Sequence, residues 1–243
     1  YETSRRVLQI ISQVFRYAVI TGRAKQNVAA DLRGALRPRK TVHRAAVLEP
    51  EKVGQLLRDI DAYEGYFPLV CALKLAPLVF TRPTELRAAQ WKEFDLEAGE
   101  WRIPAERMKM RRQHLVPLSR QAMSILRELQ KCSGEGKYLF PSIRTEARSI
   151  SDATMLNALR RMGYQKHEMS VHGFRSIAST LLNELGYNRD WIERQLAHGE
   201  QDEVRAAYNY AEYLPERRKM MQAWADYLDG LRNTQQKRIR EEA

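Results

Sequence analysis

Apolar residues recur at spacings of three and four along most of the chain, which is the pattern of amphipathic helices. In the first stretch, Val7, Val14 and Phe15 fall on one helical face. Gly22 follows the last apolar position, where a glycine favours the end of a helix. The pattern therefore predicts a helix or a helix pair over residues 1–32.

A second series of helical patterns begins near Val47. Its first three helices are predicted within "EPEKVGQLLRDID", "YFPLVCALKLAPLVF" and "RPTELRAAQWKEF", which cover residues 49–61, 66–80 and 82–94. Later helices are predicted at 119–130, 152–162, 171–186, 189–197, 202–213 and 215–231.

The period changes between the third and fourth of these helices. "EWRIPA" and "QHLVPL" are short runs of strand-like residues, and "ERMKMRR" lies between them. Two such runs joined by a polar turn are typical of a hairpin. The predicted fold is therefore mainly α with a small antiparallel β-sheet.

Three further segments define the predicted domains. Residues 33–46 are basic, contain Pro38 and lack periodicity, so they are predicted to form a linker. Residues 47–228 hold the main pattern, and residues 229–243 form a polar C-terminal tail. The sequence opens in mid-helix pattern, so we expect it to be part of a longer protein.

The net charge of the chain indicates that this helical domain has an anionic partner. Lysine and arginine total 41 against 30 acidic residues, giving a net charge of +11. Such an excess favours nucleic acid, although a solvated basic surface gives the same composition. The two cysteines indicate no disulfide framework and favour a reducing compartment. The longest apolar run carries Lys74 and two prolines, which excludes a membrane span there.

Several polar residues stand beside apolar helices, and each has a structural explanation as well as a functional one. Arg82 and Glu85 are compatible with a helix-end ion pair, and Lys109 with a solvated turn. A histidine at the position of His172 or His198 is more often structural than catalytic. Arg175, three residues after His172, shares its helical face.

Tyrosines near the end of the pattern add a candidate nucleophile. Tyr208 lies ten residues after His198, with Tyr210 and Tyr213 close behind. Tyrosines at this density on a helix are more often core or interface residues.

In combination, however, these residues resemble the active-site set of the tyrosine recombinases, the phage integrase family, and in detail the integrases of satellite phages and genomic islands. "TRPTELRAAQW" resembles the first arginine box, "MKMRRQHLVPLS" the lysine hairpin, and "HGFRSIAST" the His-x-x-Arg box. "LAHGEQDEVRAAYNYAEYL" resembles the box that holds the last histidine and the tyrosine. The resemblance covers nearly the whole chain, and it identifies residues 1–32 with the end of a helical core-binding domain and residues 47–228 with the catalytic domain.

The resemblance implies a site-specific recombinase that cleaves and rejoins DNA through a 3′-phosphotyrosine, for integration or excision of a mobile element. The implied catalytic residues are Arg82, Lys109, His172, Arg175, His198 and the nucleophile Tyr208, with Glu85 in support. Tyr210 stands where an arginine is common and leaves a second tyrosine open, although the spacing from His198 favours Tyr208. Gln113 stands where a proline is common, which puts little in doubt.

No cofactor and no metal are expected, since the sequence has neither a GxxxxGK[ST] loop nor an acidic cluster for paired metal ions. The implied partner is double-stranded DNA at attachment sites, bound by a homotetramer, with DNA-bending accessory proteins as further partners. The 243-residue chain is also compatible with a monomer. No membrane partner is expected, and the implied location is the bacterial cytoplasm, at the nucleoid. The alternatives are a type IB topoisomerase and an inactive DNA-binding regulator. An RNA-binding protein is disfavoured because no RNP-like strand or GXXG loop is present.

Overall fold

A computed structural model describes residues 2–32, 34–35, 45–198 and 213–241 of the chain, with side chains up to residue 234. The chain divides into two compact units, residues 1–43 and 44–243. This division falls inside the segment that the sequence predicts to be a linker.

The helices of the described residues are Glu2–Ile20 (α1), Pro50–Ala62 (α2), Phe67–Val79 (α3), Pro83–Arg87 (α4), Arg120–Ser133 (α5), Asp152–Arg161 (α6), Gly173–Glu184 (α7), Arg189–Gln195 (α8) and Leu214–Glu241 (α9). The strands are Phe94–Asp95 (β1), Glu100–Ile103 (β2), His114–Pro117 (β3), Pro141–Ser142 (β4) and Thr145–Ser149 (β5). The prediction of a mainly α fold with a small antiparallel sheet is confirmed. None of the described helices combines the length and the apolar character that crossing a bilayer requires.

The first unit consists of α1 and the turns that fold back on it. The amide of Asn27 donates to the hydroxyl of Ser12 at 2.9 Å, and Ala29 is buried beneath these turns. The apolar face of the predicted helix is nevertheless largely exposed, with Val14 at 61% and Tyr17 at 62%. Among the described residues of this unit, the turns after α1 leave most of that face exposed.

The core of the second unit is built around α3, which is buried along most of its length. The helices α2, α5, α6, α7 and α9 pack against it. Near its end, the carbonyl of Pro77 accepts a hydrogen bond from the indole N–H of Trp224 on α9 at 2.9 Å. This bond supplies a partner for a carbonyl in the last turn of α3, where the helix itself provides none.

A three-stranded antiparallel sheet lies beside this helical core, in the order β1-β2-β3. The predicted pair is present as β2 and β3, with Trp101 opposite Val116 and Ile103 opposite His114. The strand β1 and the separate hairpin β4-β5 were not predicted. The strands β1 and β4 have two residues each, which is too few to show period-two alternation, and β5 ("TEARS") has no alternating apolar residues.

The helix predicted over residues 82–94 is wrong in its second half. The observed helix α4 ends at Arg87, and the chain then runs through a single 3₁₀ turn into β1. The carbonyl of Ala89 accepts from the amide of Leu139 at 3.0 Å, and the ring of Phe94 stacks on Trp101 with 5.0 Å between centroids. The bond to Leu139, which is distant in sequence, and the pairing of Phe94 with Trp101 on the next strand override the local helical pattern.

The last helix, α9, continues past residue 228 into the segment predicted as a polar tail. The guanidinium of Arg58 on α2 donates to the carbonyl of Leu231 at 3.3 Å and to that of Arg232 at 3.2 Å. Gly54 permits this approach, because a Cβ there would lie 2.5 Å from the Leu231 carbonyl oxygen. The first residues of that segment therefore pack against α2.

Candidate active site

Arg82 is held in a sharp turn between α3 and α4. The residue that ends α3, Phe80, has a left-handed backbone (φ 35°) and a fully buried ring, which lies edge-on to Trp224 at 6.3 Å between centroids. A non-glycine residue persists in this strained conformation only where its surroundings fix it, often at a functional site. Pro83 then opens α4. Buried packing on one side and a rigid proline on the other therefore set the direction of Arg82.

The side chain of Arg82 is oriented by Glu85. The guanidinium donates to one carboxylate oxygen at 2.8 Å, and the backbone N–H of Arg82 donates to the other at 2.9 Å. Glu85 is 2% exposed, so its charge has little access to water. A buried carboxylate needs such pairing, which fixes both side chains. The contact that the sequence suggested between Arg82 and Glu85 is present.

Arg175 projects from the first turn of α7 and is 4% exposed. Its guanidinium donates to the carbonyl of Phe80 at 2.9 Å and to that of Leu196 at 2.7 Å. Burial, followed by the positive charge of Arg82, lowers the pKa of Arg175 to about 10. The group still carries its charge at neutral pH.

The two arginines converge on one short segment of backbone. Arg82 donates to the carbonyl of Ala197 at 3.0 Å, next to the Leu196 carbonyl that Arg175 binds. Ala197, like Phe80, has a left-handed backbone (φ 49°). Each arginine thus binds the carbonyl of one residue with a left-handed backbone, Arg175 that of Phe80 and Arg82 that of Ala197. The arrangement therefore brings two positive charges close together.

His198 extends this cluster. Its Nε2 lies 3.1 Å from a guanidinium nitrogen of Arg175, and its Nδ1 lies 2.7 Å from the carboxylate of Glu193. Because an arginine N–H can only donate, Nε2 must accept, and Nδ1 then carries the hydrogen that Glu193 accepts. The two contacts therefore select one tautomer and one ring orientation. The side chain remains 47% exposed and accessible to a ligand.

His172 lies one helical turn before Arg175, at the N-cap of α7. Its carbonyl accepts the backbone N–H of Arg175 at 3.1 Å. The residue is partly buried. The start of α7 therefore places His172 one turn before Arg175 along the chain, and the approach of their side chains that the spacing suggests stays a prediction.

Lys109 lies in the turn between β2 and β3 and is exposed. Within the described residues it makes no hydrogen bond or ion pair with another candidate residue. The base of the turn is anchored by Arg107, whose guanidinium binds the carboxylate of Glu93 and the carbonyl of Glu85. Met108 is buried at 4% exposure. The turn that carries Lys109 is therefore attached to the helix that carries Glu85.

Tyr208 and Tyr210 lie in residues 199–212, outside the described residues. Tyr213 is described and has a left-handed backbone (φ 47°) immediately before α9. Its carbonyl accepts the backbone N–H of Arg217 at 2.8 Å. The described chain therefore ends at His198 and resumes at Tyr213, and the predicted nucleophile falls between them.

Three buried polar residues were missed by the sequence analysis: His114, Gln195 and Arg217, which are 6%, 0% and 1% exposed. Burial, with the positive charge of Arg217 as the next cause, lowers the pKa of His114 to about 3. A signal was available for Arg217, because it shares the helical stripe of Met220 and Trp224. A charged residue on an otherwise apolar stripe indicates a buried, paired group.

Chemically, the cluster of Arg82, Arg175 and His198 suits an anion that has several oxygen atoms. Arginine presents fixed, always-charged donors that match phosphate geometry. Among the described residues, no group of three or more His, Cys, Asp or Glu is arranged to hold a metal ion. The charge available to a ligand here comes from side chains.

Comparison with known protein families gives two matches along the chain. Residues 46–214 match the phage integrase family, and residues 1–35 match the phage integrase central domain. The integrase of Enterobacteria phage P4 is 43% identical over 96% of this chain and 56% of its own length. The integrase of Shigella phage Sf6 is 35% identical over 94% of this chain and 59% of its own length. The chain thus spans little more than half the length of these relatives.

Solved structures show the same fold at lower identity. The Tn1549 transposon integrase in complex with a circular intermediate DNA has a TM-score of 0.63 at 12% identity, covering 90% of this chain and 78% of its own. The lambda integrase tetramer bound to a Holliday junction has a TM-score of 0.60 at 19% identity, covering 81% of this chain and 58% of its own.

Proposed function

The chain belongs to the phage integrase family, and on this premise we propose that it is a site-specific DNA recombinase of the tyrosine type. The observation that carries the proposal is the convergence of Arg82 and Arg175 on the carbonyls of Ala197 and Leu196. Two fixed guanidinium groups next to one histidine form a site for a single phosphodiester. The substrate is then double-stranded DNA at an attachment site.

The proposed cleavage step transfers a phosphodiester from deoxyribose to tyrosine. The phenolic oxygen of Tyr208 forms a bond to phosphorus, and the bond from phosphorus to the 5′ oxygen breaks. The tyrosine proton goes to His172, and Lys109 gives a proton to the leaving 5′ oxygen. A free tyrosine has a pKa near ~10, so it needs such a base or a strongly positive site to act at neutral pH.

The two arginines stabilise the charge that develops on the non-bridging oxygens. Donors fixed before the reaction cost no reorganisation when that charge appears. Glu85 fixes Arg82, while burial and the carbonyls of Phe80 and Leu196 fix Arg175. His198 accepts from Arg175 at Nε2 and so helps to hold that guanidinium in place, and its protonated form has a further N–H with which to donate to the phosphate.

Rejoining reverses these steps with a new 5′ hydroxyl. That hydroxyl attacks the phosphotyrosine, and the tyrosine leaves and regains its proton. The number of phosphodiester bonds is unchanged, so the reaction needs no external energy source. A type IB topoisomerase uses the same steps to reseal one strand, but the phage integrase match does not favour that alternative.

The organisation of the chain fits a protein that binds DNA through two parts of its chain. We propose that residues 1–32 belong to the core-binding domain, residues 33–46 to a linker, residues 47–228 to the catalytic domain and residues 229–243 to the C-terminal segment. The central-domain match over residues 1–35 and the division at residues 43 and 44 support this proposal. The expected location is the bacterial cytoplasm, where the DNA lies.

Strand exchange between two DNA sites requires four cleavages, so we propose that four copies assemble on DNA. The lambda integrase neighbour, which was solved as a tetramer on a Holliday junction, supports this proposal. Accessory proteins that bend DNA would lower the cost of bringing two sites together.

The test is covalent trapping on a nicked suicide duplex. A pool of such duplexes with a randomised core is incubated with the 243-residue chain, and SDS-resistant adducts are collected and sequenced. The recovered site then serves as the substrate for variants. We expect an adduct with the natural chain and none with Tyr208→Phe, while Tyr210→Phe and Tyr213→Phe retain it. Binding without any adduct would support the inactive regulator instead.

A further inference from the structure

A cluster of buried polar side chains lies behind the candidate active site. It consists of His114 on β3, Gln195 at the end of α8 and Arg217 on α9, and we name it the α8–α9 clamp. All three residues are almost completely buried. None of them is among the residues to which the proposed reaction gives a role.

The bonds of the clamp join three elements of the fold. Arg217 donates through Nη2 to the side-chain oxygen of Gln195 at 2.6 Å and through Nε at 3.2 Å, and it also donates to the carbonyl of Leu115. The ring of His114 donates from Nε2 to the backbone carbonyl of Gln195 at 3.1 Å. Gln195 is thus held at its side chain by α9 and at its backbone by β3.

The residue that the clamp holds comes directly before the two carbonyls of the active site. Leu196 and Ala197 follow Gln195, and their carbonyls bind Arg175 and Arg82. His198 comes next and contacts Arg175. A displacement of Gln195 therefore moves the acceptors of both arginines together.

The clamp also joins the two ends of the segment that carries Tyr208. Gln195 lies three residues before His198, and Arg217 lies four residues after Tyr213, whose carbonyl accepts the Arg217 backbone N–H at 2.8 Å. The bond from Arg217 to Gln195 thus links the described residues that flank this segment in the sequence, before its start and after its end.

The α8–α9 clamp buries polar groups, and the desolvation free energy that this requires is high for a purely structural contact. Removing an arginine charge from water is unfavourable, and apolar residues of similar volume often replace such groups without loss of stability. The amide nitrogen of Gln195 is also buried, with no acceptor among the described residues. A buried donor without an acceptor loses the hydrogen bond that it makes to water in the unfolded chain. Such costs favour a role in fixing geometry over a role in stability.

We propose that Arg217, acting through Gln195, is a positioning residue that keeps the carbonyls of Leu196 and Ala197, and with them His198, in register with Arg82 and Arg175. The consequence for catalysis rests on the proposed recombinase function. Arg217 contacts no reacting atom. Its effect is on the rate of cleavage and not on the affinity for DNA.

The first test compares Arg217→Lys with a matched control, Arg218→Lys. The control changes the neighbouring arginine of α9, which binds the carbonyl of Ala98 and the carboxylate of Glu100 at the surface. Misplacing a site by about 1 Å costs on the order of 100-fold in rate. We expect Arg217→Lys to slow single-turnover cleavage of the suicide duplex by about that factor, with DNA affinity and melting temperature near those of the control.

A second variant separates positioning from loss of folding. In Gln195→Met the side-chain acceptor is removed and the volume is kept. If the clamp acts as a unit, the Arg217→Lys/Gln195→Met double variant cleaves about as slowly as the slower single variant. If the rate losses of the two single variants multiply in the double variant, the proposal is wrong. It is also wrong if the cleavage rate falls only in proportion to the folded fraction, or if Arg217→Lys cleaves at the natural rate.

A readout without cleavage separates this proposal from the recombinase function. The chain has five histidines, so ¹⁵N labelling of their rings gives a small set of signals, assigned with His→Gln variants. We expect the His198 ring signals to shift in Arg217→Lys and to stay in place in Arg218→Lys. This result stands even if no DNA adduct forms, which would overturn only the proposed function. Unchanged His198 signals in a folded Arg217→Lys chain would overturn the clamp.

Discussion

The guanidinium groups of Arg82 and Arg175 donate to the carbonyl oxygens of consecutive residues, Ala197 and Leu196. The two arginines stand 93 positions apart in the sequence and come from different helix starts. Their shared backbone segment leads directly into His198. This relationship turns two separate sequence motifs into one cationic site.

The site predicts that both arginines are needed for cleavage and neither for folding of the domain as a whole. By analogy with arginines that stabilise transferring phosphoryl groups, Arg82→Lys or Arg175→Lys should slow adduct formation by ~10³-fold or more. Single-turnover cleavage of the suicide duplex measures this loss. The matched control is Arg120→Lys, an exposed arginine on α5, which should cleave at the natural rate.

Glu85 predicts a stability effect, because its buried carboxylate is paired with Arg82. Glu85→Gln leaves the guanidinium without its counter-charge, and breaking a buried pair costs roughly 3–5 kcal/mol. Since Arg82 is 18% exposed, we expect urea unfolding to give a free energy of unfolding that is lower by about 3 kcal/mol. The exposed Glu97→Gln should change the free energy of unfolding by less than about 0.5 kcal/mol. Equal small changes in both variants would refute the buried pairing.

His114 predicts a pH dependence of stability. Burial, then the charges of Arg217, Arg175 and Arg194, lower its pKa to about 3, whereas an unfolded histidine titrates near ~6.5. Between these values the unfolded chain binds a proton that the folded chain does not, so the free energy of unfolding falls as the pH drops below ~6.5.

The measurement is the free energy of unfolding of the natural chain and of His114→Gln at pH 7 and pH 5. At ~1.4 kcal/mol per pH unit below ~6.5, the natural chain should lose about 2 kcal/mol more than the variant over this interval. The exposed His167→Gln serves as control and should keep the natural slope. A slope in His114→Gln equal to that of the natural chain would contradict the buried neutral histidine.

Much of the fold follows from the sequence because its helices carry strong 3.6-residue periodicity. The helix over residues 82–94 failed at Arg87, because Phe94 pairs with Trp101 on the next strand and the Ala89 carbonyl accepts from Leu139, which is distant in sequence. No local pattern contains such partners. The same holds for Gln195, whose importance depends on an arginine 22 positions later.

For the candidate site, spacing sufficed to pair Arg82 with Glu85, whereas the approach of the His172 and Arg175 side chains stays a prediction. The convergence of the two arginines required the fold, because the acceptors are backbone carbonyls, which leave no mark on the sequence. That Lys109 and Tyr208 act on the same phosphodiester stays a prediction.

Lys109 shares its turn with Arg111 and Arg112, and we predict that the lysine and the two arginines have different roles. Lys109→Ala removes the proposed proton donor and should slow cleavage by ~10²–10⁴-fold with little effect on binding. Arg111 and Arg112 are exposed in the same turn. If they contact phosphates, each change to Ala should reduce the salt dependence of DNA binding by about one phosphate contact and leave the cleavage rate of bound DNA unchanged. Rates that fall equally in all three variants would contradict this division.

The most direct test of the account is the position of the covalent bond. The adduct formed on the suicide duplex is digested with nuclease and trypsin, and fragmentation of the peptide that spans residues 206–217 locates the remaining nucleotide. This peptide contains Tyr208, Tyr210 and Tyr213, so one spectrum distinguishes them. The account predicts the nucleotide on Tyr208, and its absence from that peptide in Arg175→Lys. A nucleotide on another residue, or an adduct that persists in Arg175→Lys at the natural rate, would contradict a single phosphodiester site built on the two arginines.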